Sequence, residues 1–115
     1  MKIIYYNQRA KEAFCSEYRD KWKYPAAVKE KLMFIEGMLN SFTCLMDVMN
    51  YPSFRFHRLV GNKKGQWSIY VGHTGYRVTL IPCDDNEKEI LSGDVLALSK
   101  SIKIVEIVEV SNHYE

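Results

Sequence analysis

Histidine and arginine are the residue types in this 115-residue chain best suited to chemistry, and several of them lie in its second half. His57 and His113 carry imidazoles, which gain or lose a proton near neutral pH and so suit proton transfer. Arg55 and Arg77 carry guanidinium groups, whose planar fork can hold two phosphate oxygens at once. These residue types indicate acid–base chemistry on a phosphate-bearing ligand. The three cysteines are far apart in the chain and form no CxxC pair, which indicates neither a disulfide nor a thiolate metal site.

Alternation along the predicted strands places several of these side chains on one surface. One face is apolar and is expected to lie under the helices; it bears Trp67, Ile69, Val71, Tyr76, Val78 and Leu80. The opposite face, here called the open face, bears Arg55, His57, Ser68, Tyr70, Arg77 and Thr79. Two arginines, an imidazole and a phenol together suit a phosphate. An uncovered sheet face is polar in any case, so the pattern alone also fits a surface without function.

The elements that must position these residues follow from periodicity. Residues 2–6 are β-branched and aromatic and predict a strand, after which Asn7 suits a helix N-cap. An apolar stripe predicts one helix that contains Ala10, Phe14, Tyr18 and Trp22. Pro25 suits the first turn of a second helix, whose seam is Val28, Leu32, Ile35, Leu39 and Phe42, and one or two further helical turns are predicted up to Met49.

After Pro52 the period changes from helical to alternating. Residues 53–59, 66–71, 76–81 and 102–110 predict strands, and residues 84–101 predict a long loop with a short ordered piece. The expected fold is a single α+β domain over residues 1–115. Its N-terminal strand and two helices pack on one face of a mostly antiparallel sheet of four to five strands.

Composition limits the class of protein. A hydrophobic content of 47% fits one compact domain and argues against disorder. The net charge of +2 is small, so any contact with nucleic acid must come from local clusters of lysine and arginine. The first apolar run is too short for a signal peptide or a membrane span, which predicts a cytoplasmic protein with no membrane partner.

Three segments resemble one family of bacterial toxins. Residues 57–69, His-Arg-Leu-Val-Gly-Asn-Lys-Lys-Gly-Gln-Trp-Ser-Ile, are similar to the central block of HigB-type toxins in the RelE superfamily. Residues 75–80, Gly-Tyr-Arg-Val-Thr-Leu, resemble the family's next strand, and residues 105–114 resemble its closing strand. The resemblance implies a RelE-like fold and the toxin of a type II toxin–antitoxin system. It also implies ribosome-dependent, metal-free cleavage of messenger RNA by 2′-hydroxyl attack, without a cofactor, and neutralisation by a HigA-like helix-turn-helix antitoxin.

The resemblance also implies roles for single residues. Arg77, His113 and His57 match positions expected to be catalytic. The residues expected to contact RNA are Lys63, Lys64, Arg55, Tyr114 and Asn112. For the catalytic candidates a structural alternative stays open: a frayed tail for His113, a hydrogen-bonded strand-end histidine for His57, and a salt bridge to Glu106 or Glu109 for Arg77. The alternative is a solvated turn for Lys63 and Lys64, and packing across the sheet edge for Tyr114. Trp67 is assigned to the core, and His73, in a hairpin turn, is expected to be inert.

Two departures from the family pattern bear on activity. Val60 replaces the family's lysine before the glycine, and Ser111 and Asn112 stand where the terminal motif has an acidic residue. One alternative is therefore a binding module that kept the fold, lost the chemistry and acts through its antitoxin partner. Another is an unrelated small α+β domain that binds RNA or protein.

Overall fold

One sheet and the helices packed on it make up the part of the chain that the computed structural model describes, residues 1–61 and 63–112. The strands are β1 Lys2–Tyr5, β2 His57–Arg58, β3 Trp67–Tyr70, β4 Tyr76–Cys83 and β5 Ile104–Asn112. The α-helices are α1 Gln8–Phe14, α2 Ala26–Ser41, α3 Leu45–Met49 and α4 Val95–Leu98. Two 3₁₀ segments, Ser16–Lys21 and Pro52–Phe54, connect these elements.

The sheet order is β1-β5-β4-β3-β2. β1 pairs with β5 in parallel, and the other neighbours are antiparallel. The first strand thus lies beside the last one; α1, α2 and α3 lie between β1 and β2 along the chain, and α4 lies between β4 and β5. The expected α+β class and the mostly antiparallel sheet are confirmed.

The core lies between the helices and one face of the sheet, as predicted. Asn7 caps α1, since its side-chain oxygen accepts the backbone N–H of Ala10 at 2.8 Å. The seam of α2 faces inward, with Val28, Leu32, Ile35 and Leu39 buried. The sheet contributes Trp67, Ile69, Val78, Leu80, Val105 and Ile107 to the same core. Removing this apolar area from water is the main favourable term for the fold.

The first helix is shorter than the apolar stripe predicts. It ends at Phe14, because Cys15 has extended backbone angles and a 3₁₀ segment follows. The Glu12 carbonyl, which a continuing helix would bond to the N–H of residue 16, instead accepts the indole N–H of Trp22 at 2.9 Å. The N–H of Ser16 instead donates to the Glu36 carboxylate at 3.1 Å. Trp22 still reaches the core, but through a turn and not through helical spacing.

The prediction of a strand over residues 53–59 is also wrong for most of that range. Pro52 opens a 3₁₀ turn, and Arg55 has φ 48° and ψ 43°, in the left-handed region. Only His57 and Arg58 pair with β3. Proline fixes its own φ and lacks an N–H, so it suits such a turn better than a ladder.

Residues 84–101 form a loop with one short helix, α4, as expected. Here this segment is called the insertion. Its start folds back along β4, where the N–H of Ile90 donates to the Pro82 carbonyl at 2.9 Å. Its end lies near α3, where the N–H of Met46 donates to the Ser99 carbonyl at 3.3 Å. The described helices include none that is long and apolar enough to cross a lipid bilayer.

Candidate anion-binding site

A cavity of about 250 Å³ lies beside the turn that connects β3 and β4. It is called here the two-arginine cavity, and its lining is Arg55, Tyr70, Gly72, His73, Gly75, Tyr76 and Arg77. The lining side chains are cationic, aromatic or imidazole, and none of them is a carboxylate. Such a site favours an anion with flat groups attached.

Arg77 is placed by β4, opposite Tyr70 on one side and Ser111 on the other. Its side chain is half-buried, and its buried Nε has no hydrogen-bond partner among the described residues. The alternative salt bridge to Glu106 or Glu109 is not formed, since Lys2–Glu87 is the ion pair found within residues 1–61 and 63–112. An unpaired buried N–H costs about 1–3 kcal/mol, which an incoming oxygen ligand would offset.

Arg55 reaches the same cavity from the loop before β2. Its guanidinium carbon lies 5.0 Å from the centre of the Tyr70 ring, in a cation–π contact. The left-handed backbone at Arg55 is uncommon for a non-glycine residue and sets the direction of this side chain. Arg55 and Arg77 therefore meet at one cavity, as expected from the sequence, although Arg55 is not on a strand.

His57 contacts Tyr70 but is not one of the described residues that line the cavity. Its ring lies edge-on to Tyr70, with centroids 5.5 Å apart and planes at 83°. Its Nδ1 lies 2.8 Å from the Arg55 carbonyl oxygen. These contacts hold Arg55 and Tyr70 in place, which favours the structural alternative for His57 over a direct catalytic role.

The prediction that Ser68 and Thr79 are exposed on the open face is wrong. Both lie on that side of the sheet, opposite each other on β3 and β4, but both are 0% exposed. They are short side chains beside the longer His57 and Glu109 on the flanking strands. At the Tyr70–Arg77 end of the open face, by contrast, both side chains are partly exposed and line a cavity.

The structure does not bring the expected lysines to this cavity. Lys63 and Lys64 are exposed in the β2–β3 connection, and Lys63 lines a separate cavity of about 440 Å³ with Tyr6 and Arg9. Asn112 ends β5 opposite Tyr76 and is exposed. His113 and Tyr114 lie outside the described residues.

A second basic cavity adjoins the first one and was missed from the sequence. It has a volume of about 430 Å³, and its lining is Arg9, Glu12, Ala13, Lys21, Trp22, Lys23, Tyr24 and Tyr76. Tyr76 lines both cavities, and its ring meets Tyr24 edge-on at 5.7 Å. Burial raises the pKa of Tyr24, whose hydroxyl donates to the Ala13 carbonyl at 2.9 Å. The run Lys-Trp-Lys-Tyr at residues 21–24 alternates cations and aromatics and was the available signal.

A pair of carboxyl groups lies towards the other end of β4. Burial raises the pKa of Glu106 to about 7, and contact with the Glu89 carboxyl adds to the rise. Glu89 belongs to the insertion and bridges to Cys83 of β4. Burial, followed by the charge of Glu106, raises the pKa of the Cys83 thiol to about 12, which makes this thiol a poor nucleophile.

Within residues 1–61 and 63–112, no group of three or more His, Cys, Asp or Glu side chains is arranged to hold a metal ion. The chain has no significant match among protein-family models, curated proteins or solved structures.

Proposed function

We propose that the protein is a ribosome-dependent endoribonuclease toxin of the HigB type, with the two-arginine cavity as the site that holds the scissile phosphate. The observation that supports this proposal is the meeting of Arg55 and Arg77 at one cavity whose described lining residues include no carboxylate. Because the buried Nε of Arg77 has no partner within the described part of the chain, this guanidinium gains from an anionic oxygen.

In the proposed reaction, the RNA itself supplies the nucleophile. The 2′-hydroxyl oxygen attacks its own phosphorus and forms a new O–P bond, while the bond from phosphorus to the 5′-oxygen of the next nucleotide breaks. One proton leaves the 2′-hydroxyl and one joins the 5′-oxygen, so the products are a 2′,3′-cyclic phosphate and a 5′-hydroxyl. Arg77 and Arg55 would stabilise the charge on the phosphoryl oxygens, for which no metal is required.

The same resemblance gives the proposed toxin its partners: messenger RNA and the bacterial ribosome in the cytoplasm, and a HigA-like antitoxin. The aromatic side chains Tyr70 and Tyr76 in the cavity lining suit an RNA strand, since bases stack on aromatic rings.

The test is cleavage of a labelled messenger RNA by the purified protein on translating ribosomes. The wild-type protein should cut within codons, and Arg77→Ala should lower the rate by roughly 10²–10³-fold, the usual effect of removing one transition-state donor. Arg58→Ala is the matched control, because Arg58 is exposed, lies over the Trp67 ring and is outside the cavity. Equal cutting by the Arg77→Ala and wild-type proteins would contradict the assignment.

A second candidate function is a binding module without cleavage. It is favoured by Ser111, which lies directly opposite Arg77 and offers no carboxylate, and by Val60, which is 87% exposed where the family has a lysine. Inducing the gene in bacteria with and without its genomic neighbour separates the two. Growth arrest that the neighbour relieves supports the toxin, whereas harmless expression with tight binding to the neighbour's product supports the binding module.

A further inference from the structure

We propose that His73 is the imidazole, among the histidines that the structure describes, that contacts the RNA phosphate in the two-arginine cavity, an inference that rests on the proposed RNA-binding function. From the sequence, His113 and His57 were the candidate catalytic histidines and His73 was expected to be inert. In the structure, His73 lines the cavity with Arg55 and Arg77, whereas His57 contacts Tyr70 edge-on and is not among the lining residues.

The turn that bears His73 is rigid. The N–H of Val71 donates to the Tyr76 carbonyl at 3.0 Å and closes the hairpin. The Thr74 hydroxyl donates to the Val71 carbonyl at 2.6 Å and accepts the N–H of Tyr76 at 3.2 Å. Gly72 and Gly75 take the positive φ values, 55° and 86°, that this short connection requires. An imidazole on such a turn is held near the cavity at low entropic cost.

Helix α2 supports the turn from behind. A Cβ added at Gly72 would lie 3.3 Å from Cε of Lys31, so the aliphatic part of Lys31 packs directly on the turn. His73 itself remains exposed and so accessible to a ligand.

The charges around His73 favour a phosphate as its partner. The cavity presents Arg55, Arg77, Tyr70 and Tyr76, and α2 adds Lys31 behind the turn; none of these groups is acidic. A protonated imidazole among these cations gains a favourable interaction only when an anion enters. Binding of an anion and protonation of the imidazole must then strengthen each other by the same factor.

The experiment measures how pH changes affinity for a 2′-O-methyl RNA hexamer, which cannot be cleaved, by fluorescence anisotropy. The wild-type protein should bind roughly 5–10-fold more tightly at about pH 5.5 than at about pH 8, the interval in which imidazole changes charge. His73→Gln should lose most of this difference. His57→Gln and His113→Gln should keep it, even where their absolute affinity falls.

The outcomes separate this inference from the proposed function. Equal pH dependence in His73→Gln and wild type, or no pH dependence in the wild type, overturns the role of His73. If the wild-type protein cuts no message on ribosomes but shows pH-dependent binding that requires His73, the nuclease function fails and the His73 contact stands. If the wild-type protein cleaves the message but His73→Gln binds RNA with the same pH dependence as the wild type, the His73 contact is rejected and the nuclease function stands. A two-dimensional ¹H–¹⁵N histidine spectrum checks folding, because His73→Gln should remove one imidazole and leave the others in place.

Discussion

At the residue scale, the candidate site depends on two guanidinium groups, those of Arg55 and Arg77, that form no ion pair with a carboxylate of residues 1–61 or 63–112. Arg77 has Ser111 opposite it on β5, and Arg55 rests on an aromatic ring instead of a carboxylate. A cation paired within the fold would have to give up its partner before it bound a phosphate. Unpaired guanidinium groups avoid that cost, so the same feature that lowers stability favours ligand binding.

The Glu106–Glu89 pair gives a pH prediction at the same scale. Burial raises the pKa of Glu106 from 4.5 to about 7. At a pH between these two values, the folded protein therefore keeps a proton on Glu106 that the unfolded chain has lost. The contribution of Glu106 to the free energy of unfolding is fully present below its pKa in the unfolded chain, and it is lost as the pH rises through its pKa in the folded protein. The urea concentration at the unfolding midpoint of the wild-type protein should therefore decrease as the pH is raised from about 5 to about 8.

Glu106→Gln should remove most of that fall, since a neutral amide keeps the shape without the charge. Glu109→Gln is the matched control on the same strand and should keep the wild-type pH dependence. A midpoint of Glu106→Gln that falls as steeply as that of the wild type would show that the pair does not control stability in this interval.

At the element scale, two long connections meet beside β4. The β2–β3 connection contains Gly65, and the insertion brings Ile90 and Leu91 against it. A Cβ at Gly65 would lie 2.7 Å from Cδ2 of Leu91, 3.1 Å from its Cα and 3.2 Å from the Ile90 carbonyl oxygen. The connection that bears Lys63 and Lys64 is thus tied to the insertion by backbone packing.

Gly65→Ala should destabilise the protein more than Gly61→Ala. Both glycines have positive φ, 73° and 80°, so an added Cβ costs about 1–2 kcal/mol in backbone conformation at either position. Only Gly65 has neighbours within 4 Å, and overpacking there should add about 1–3 kcal/mol. Urea unfolding of the two variants measures the difference, and equal free energies of unfolding would show that the contact with Leu91 is not rigid.

At the scale of the whole molecule, the small net charge hides a local concentration of cations. The net charge is +2, yet the two-arginine cavity and its neighbour share Tyr76 and together present Arg55, Arg77, Arg9, Lys21 and Lys23. Glu12 is the acidic side chain in these two linings, and it accepts a hydrogen bond from Gln8. A strand of RNA longer than one nucleotide fits such a continuous basic surface better than a single phosphate does.

This surface predicts a salt-dependent affinity. For single strands, log K falls with log salt concentration with a slope of about −0.7 per phosphate contacted, so Lys23→Ala should reduce the slope by about 0.7 if Lys23 holds one phosphate. Lys100→Ala is the control, because Lys100 is exposed near α4 and lines none of these cavities. The measurement is hexamer binding over a series of salt concentrations. An unchanged slope for Lys23→Ala would confine the RNA to the first cavity.

The sequence by itself determined which side of β3, β4 and α2 faces the core between helices and sheet. Alternation placed Trp67 in the core and Arg77 on the opposite side, and the helical period identified the buried seam of α2. These results depend on the geometry of neighbouring residues along the chain, which periodicity reports directly. The α+β class followed from the same patterns. Predictions from periodicity failed where the chain leaves regular structure, as at Arg55, or where a tertiary hydrogen bond replaces a helical one, as at Trp22.

Only the tertiary structure decided which side chains share a cavity. His57 and His73 both lie near strand ends in the sequence, but the structure packs the first edge-on against Tyr70 and places the second in the cavity lining. Burial of Ser68 and Thr79 likewise depends on the longer side chains of flanking strands, which are distant in sequence. Local periodicity fixes the direction of a side chain, whereas its neighbours are fixed by strand order and packing, which no short segment encodes.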